Sequence, residues 1–151
     1  MDIKKDNLEG GEVISLLKEH LSDMYATSPP ESVHALDVQA LKSSNITFFS
    51  AWINDSLAGC IALKRLTPKS AEIKSMRTAH QFRGQGVASK LLSFLLDFAK
   101  EQGYDTVSLE TGTQDYFLPA RSLYEKFGFS ECGPFSDYKL DPNSYFMTRD
   151  V

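Results

Sequence analysis

Hydrophobic positions along the chain follow two rhythms. Val13, Ile14, Leu16, Leu17, Leu21 and Met24 recur at helical spacing, which predicts an amphipathic helix over Glu12 to Tyr25. The segment Ala26-Thr27-Ser28-Pro29-Pro30-Glu31-Ser32 ends it, because paired prolines cannot continue a helix. A short helix is expected around Leu36 to Lys42. Ile46 to Ile53 is β-branched and aromatic and reads as a strand. Asn54-Asp55-Ser56 makes a tight turn, and Leu57 to Leu66 returns as the second strand of a hairpin that Pro68 closes. Ala71 to Thr78 reads as a further strand.

Gly84 and Gly86 then break the pattern. Beyond them Val87, Leu91, Leu92, Leu95 and Phe98 or Ala99 mark one face of a helix that Gly103 caps. Thr106 to Thr111 is a strand. Pro119 suits the first turn of another helix, which carries Ala120, Leu123, Tyr124 and Phe127 and stops at Gly128. Tyr145 to Thr148 reads as a last strand. With no repeat, linker or low-complexity segment, residues 1–151 are expected to form one α/β domain.

Composition narrows the functional classes. The chain is 42% hydrophobic and 24% charged, which sets aside disordered and collagen-like readings. No apolar run approaches the roughly 20 residues that span a bilayer, so no membrane partner is expected. The start, Met1-Asp2-Ile3-Lys4-Lys5, lacks an apolar signal core, and the expected location is the cytoplasm. Sixteen basic against 20 acidic residues give a net charge of −4, which argues against a nucleic-acid surface and fits a modest preference for cationic substrates. No disulfide between Cys60 and Cys132 is expected in a reducing compartment, and with no His or Cys near either at ligand spacing no metal site is expected.

The candidate chemistry lies in the strand, glycine turn and helix from Ala71 to Leu92. A helix start presents unpaired N–H groups and a partial positive charge, both suited to a phosphate. Gly84 and Gly86 let backbone approach such a ligand, and Arg83 adds a charged donor. The Lys and Ser or Thr of a Walker A loop are absent, and Ser89 stands where a dinucleotide-binding fingerprint needs its third glycine.

Gln81-Phe82-Arg83-Gly84-Gln85-Gly86 resembles the Gln/Arg-x-x-Gly-x-Gly/Ala signature of the GNAT superfamily of N-acetyltransferases. Ala120-Arg121-Ser122-Leu123-Tyr124, followed by Gly128-Phe129, resembles its second hallmark, in the expected order and separation. Leu109-Glu110-Thr111-Gly112 and the Ser28 to Glu31 segment are similar to a bacterial subgroup of unassigned substrate. Phe117 departs from the asparagine many members carry.

The resemblance implies a GNAT fold: a twisted mixed sheet whose central parallel strands, Ala71–Thr78 and Thr106–Thr111, splay apart between flanking helices. It implies acetyl-CoA as co-substrate and no metal. Pyrophosphate would lie at Arg83, Gly84, Gln85, Gly86, Val87 and Ala88, and pantetheine along the backbone of Met76 and Thr78. The reaction implied is acetyl transfer to a primary amine of a small molecule or peptide by direct attack. A non-catalytic acyl-CoA sensor, and transfer of longer acyl chains or to hydroxyls, stay open beside it. A homodimer is compatible with the same resemblance.

Glu72 matches the strand position at which some members carry a general base, and Glu110 is the rival carboxylate on the other splayed strand. A base is needed because an ammonium has no lone pair with which to attack a thioester. Tyr124 matches the tyrosine held to protonate the leaving thiolate. His34 and Glu31 are candidate substrate contacts beside a loop that would border the acceptor pocket, whereas His80 is expected to be an exposed turn residue.

Overall fold

A computed structural model describes all 151 residues. Strand β1 (Asp2–Lys5) leads into helix α1 (Gly11–Thr27), whose Val13, Leu16 and Leu17 are buried. After α1 a short 3-10 turn, Pro30–Ser32, carries the chain to helix α2 (Val38–Leu41), where the Asp37 side chain caps by accepting from Ala40 N–H. Strands β2 (Ile46–Ile53) and β3 (Ser56–Thr67) form the expected hairpin. Asn54 and Asp55 both take positive φ, 48° and 65°, the conformation that matches a two-residue turn to strand twist.

Strand β4 (Ser70–Thr78), helix α3 (Val87–Glu101) and strand β5 (Thr106–Gly112) form the crossover unit. Helix α4 (Leu118–Lys126), strand β6 (Ser130–Cys132) and strand β7 (Ser144–Asp150) complete the chain. The seven strands make one mixed sheet in the order β1-β2-β3-β4-β5-β7-β6. One core packs α3 and α4 residues such as Leu91, Leu95 and Tyr124 on the sheet; a second packs Val13, Leu17 and Leu41 of α1 and α2 against Cys60 and Ala62. No helix is long and apolar enough to cross a membrane.

The parallel strands part as expected. β4 and β5 pair at Ser70↔Thr106, Ala71↔Val107 and Glu72↔Ser108, and no farther. On its other side β4 carries a bulge: Cys60 pairs with Arg77 and Ala62 with Lys74, so Ser75 and Met76 together face Ile61. Ser75 has φ of 53°. A bulge raises local twist and re-aims side chains, which turns the end of β4 away from β5.

Two strands escape the sequence pattern. Neither β1 nor β6 contains a buried residue, so neither carries an apolar alternation to read. The neighbouring strand defines each of them, β1 through the Ile3↔Ala51 ladder and β6 through Glu131↔Met147.

Candidate active site

A cleft of about 770 Å³ opens where β4 and β5 diverge. The start of α3 forms one end of its wall. Gly84 and Gly86 take φ of 75° and 80°, which side-chain-bearing residues rarely adopt, and no side chain caps the helix there. Arg83, Gly84, Gly86, Val87 and Ala88 line the cleft, with Arg83 exposed. Gln85 does not line it: its side chain is exposed and donates back to the Gln81 carbonyl at 3.2 Å. Met76 and Thr78 also line the cleft, beyond the last rung between β4 and β5.

Tyr124 reaches the cleft from α4. It is buried, its ring packs edge-on against Phe129 at 5.7 Å, and burial pushes its phenol pKa above the ordinary value. The departure at Phe117 has a packing consequence. Its buried ring lines the cleft and lies 2.2 Å from where a Cβ on Gly112 would stand, so the glycine is needed for the ring to fit.

The two candidate bases have different surroundings. Glu72 is 2% exposed and does not line the cleft. Its Oε2 accepts from the Tyr138 hydroxyl at 2.5 Å and from Lys74 Nζ at 3.4 Å. Glu110 lines the cleft from β5, and burial raises its pKa to about 7 against the opposing pull of Lys74.

Tyr138 and Lys74 carry no motif signal, yet they hold this end together. Lys74 Nζ donates to the His34 carbonyl at 3.0 Å and to the Tyr138 hydroxyl at 2.9 Å. The rings of His34 and Tyr138 meet edge-on at 5.0 Å. Ser32 Oγ donates to Asp141 Oδ2 at 2.6 Å, tying the loop after α1 to the loop before β7. His34 lines the cleft, and burial, followed by the Lys74 charge, lowers its pKa. Glu31 is exposed and does not line the cleft, and His80 is exposed in its turn.

Arg77 likewise carries no motif signal. Its side chain is 4% exposed and its guanidinium donates to Glu19 at 2.5 Å and Asp23 at 2.7 Å, both on α1. Next to it His20 is held neutral, its pKa lowered to about 4 by burial and then by the Arg77 charge. The charged residues lining the cleft are Lys74, Arg77, Arg83 and Lys126 against Glu110 alone. Basic residues thus outnumber acidic ones in the lining of a chain of net charge −4, although Lys74 and Arg77 are already paired with Glu72, Glu19 and Asp23.

A splayed sheet with a glycine-turned helix start at one end of its cleft and a buried tyrosine within it defines the acyl-CoA-dependent acyltransferase class. Residues 13–129 match the acetyltransferase (GNAT) family model, and the chain belongs to that family. It is 52% identical to the uncharacterized N-acetyltransferase YsnE of Bacillus subtilis (strain 168), over 100% of both chains. It is 48% identical to the uncharacterized N-acetyltransferase YedL of Escherichia coli (strain K12), over 97% of this chain and 92% of the other. The crystal structure of a putative acyl-CoA N-acyltransferase from Klebsiella pneumoniae superposes with a TM-score of 0.79 at 25% identity, covering 99% of this chain and 96% of that one. The protein is an acetyl-CoA-dependent acyltransferase.

Proposed function

We propose that the protein transfers the acetyl group of acetyl-CoA to a primary amine of a small molecule or peptide by direct attack in a ternary complex. The observation that carries this reading is that Glu110, with a pKa near neutrality, shares one cleft with Tyr124 and the open start of α3. A base acting at pH 7 is most useful with a pKa near 7.

In this reading the N–H groups of Val87 and Ala88, with Arg83, take the pyrophosphate, and the β5-facing edge of Met76 and Thr78 takes pantetheine as an added strand. Glu110 accepts a proton from the acceptor ammonium. The freed nitrogen lone pair attacks the thioester carbonyl carbon, forming the N–C bond. Collapse breaks the C–S bond, the sulfur leaves with the electron pair, and Tyr124 supplies a proton to it. The proton that the nitrogen still has in excess returns to Tyr124, leaving amide, CoA thiol and a protonated Glu110 that re-ionises to solvent.

Glu72 is assigned a supporting part, because Tyr138 and Lys74 already engage its Oε2 and it does not line the cleft. His34 is assigned to the acceptor side, whereas the exposed Glu31 and Gln85 are not assigned a direct contact. The proposal includes a cytoplasmic setting and action as one domain over residues 1–151, and a homodimer is compatible with it.

Thermal melts with millimolar acetyl-CoA and a free-thiol release assay across an amine panel test the reading. Saturation at a hundred times Kd stabilises the fold by about 2.7 kcal/mol. An unshifted melt together with no thiol release from any amine would overturn it.

A further inference from the structure

We infer that the acceptor carries a carboxylate as well as its amine, and that Ser75 and Arg77 on β4 form the subsite that holds it. The inference rests on the reading of this cleft as an amine-acetylation site and names the class of acceptor that the cleft takes.

Four cations and one carboxylate line the cleft. Arg83 beside the start of α3 and Lys126 at the end of α4 suit the phosphates of the CoA. That leaves Lys74 and Arg77, both on β4 and both buried. The carboxylates that pair with them, Glu72, Glu19 and Asp23, do not line the cleft. The cleft lining on β4 therefore holds the basic partner of each ion pair and not the acidic one.

Hydrogen bonding separates the two cations. Lys74 donates to the His34 carbonyl, the Tyr138 hydroxyl and Glu72, which uses its three protons, so its contribution to a ligand is its field. Arg77 still has a donor to give: its terminal nitrogen serves Glu19 and Asp23, but its Nε is buried without a partner. Two residues earlier, at the bulge, Ser75 Oγ is also buried without a partner. Both residues line the cleft. Buried polar atoms in native proteins are nearly all paired, so two orphans on one wall of a binding cleft point to a partner that the ligand brings.

The chemistry of the orphans selects that partner. Arg77 Nε–H can only donate, and the Ser75 hydroxyl can donate beside it. Two donors two residues apart on β4, one of them on a guanidinium, call for an acceptor, and a carboxylate has lone pairs for both. A second ammonium, which can only donate, would leave Arg77 Nε unpaired. With the carboxylate at Ser75 and Arg77 and the amine toward Glu110 on β5, the acceptor lies across the cleft beside the thioester end of the pantetheine. Amino acids and short peptides with a free C-terminus have this form.

The test is thiol release from acetyl-CoA with L-amino acids and dipeptides, each run against its C-terminal amide and its decarboxylated amine, with polyamines and an aminoglycoside as cationic acceptors. The acids are expected to exceed their amides in kcat/KM by roughly 10- to 100-fold, the range for a hydrogen bond to a charged group. Ser75→Ala, and Arg77→Lys, which keeps a cation opposite Glu19 and Asp23 but removes Nε–H, should raise KM for the acids and shrink the acid-to-amide ratio. Where Arg77→Lys melts early, Ser75→Ala decides alone. Amides, decarboxylated amines or polyamines turning over as well as the acids would overturn the inference while leaving acetyl transfer intact. So would an acid preference that both variants keep, or a panel in which only uncharged or cationic acceptors react. If acetyl-CoA neither binds nor releases thiol with any member, acetyl transfer itself fails, and this inference with it.

Discussion

Tyr138 and Glu72 lie 66 residues apart in the chain, yet the Tyr138 hydroxyl donates to Glu72 Oε2 at 2.5 Å. The contact fastens the loop before β7 to the first part of β4, at the last rung between the two splayed strands. The same hydroxyl accepts from Lys74, which itself holds the His34 carbonyl. One phenol thus links the loop before β7 to β4 and, through Lys74, to the loop that carries His34.

Removing that hydroxyl is expected to loosen this end first. Tyr138→Phe leaves Glu72 and Lys74 each short of one buried partner, at a cost of about 1–3 kcal/mol. Chemical denaturation should register the loss. Acceptor KM should rise while acetyl-CoA affinity by calorimetry stays near wild type. A stability loss with acceptor KM unchanged would confine Tyr138 to folding.

Glu110→Gln tests the base. Turnover is expected to fall by about 10²–10⁴, and the acid limb of the kcat/KM–pH profile, centred near pH 7 in the wild type, should disappear. Glu72→Gln should leave that limb in place. A limb lost in Glu72→Gln and kept in Glu110→Gln would reverse the assignment.

The same carboxyl makes a signed prediction for stability. Its folded pKa of about 7 is above the 4.5 of an ordinary Glu, so between these values the folded state binds the proton that the unfolded state has released. Stability contributed by Glu110 is present below about pH 4.5 and lost as pH rises through 7. Glu110→Gln should therefore gain on wild type over that interval, by on the order of 1–3 kcal/mol at pH 8. Denaturant midpoints at pH 5 and pH 8 measure the difference, and equal offsets at the two would contradict it.

Tyr124→Phe keeps the ring against Phe129 and removes the hydroxyl. Acetyl-CoA affinity and melting temperature should hold, while kcat and kcat/KM fall together by about 10², the mark of an interaction made in the transition state. A lower melting temperature with full turnover would identify a packing tyrosine.

Gly86→Ala is strained by backbone conformation. The site is open, with nothing within 4 Å of the added methyl, but φ of 80° costs a non-glycine residue about 1–2 kcal/mol. Relief of that strain would shift the start of α3, so acetyl-CoA affinity should fall more than stability does. Arg83→Ala should weaken binding with a dependence on salt, as exposed charge contacts do. Titration calorimetry at low and high salt separates the two effects, and wild-type affinity in both variants would move the phosphate site elsewhere.

The sequence by itself determined the elements whose apolar rhythm is strong and the loop whose conformation only glycine supports. Val87, Leu91, Leu92 and Leu95 are buried along α3 as their spacing predicts, and Gly84 and Gly86 take the positive φ their position suggests. Both readings rest on interactions within one turn of chain, which local sequence encodes. Tertiary structure alone decided the contacts around His34 and β4. Tyr138, Lys74 and Arg77 gain their meaning from partners at separations of 66, 40 and 58 residues, over which no local pattern extends. It also gave the two carboxylates different surroundings. Glu72 and Glu110 are equivalent as letters, but the environments they meet after folding differ: one is enclosed by a tyrosine and a lysine, and the other faces the cleft with its charge disfavoured by burial.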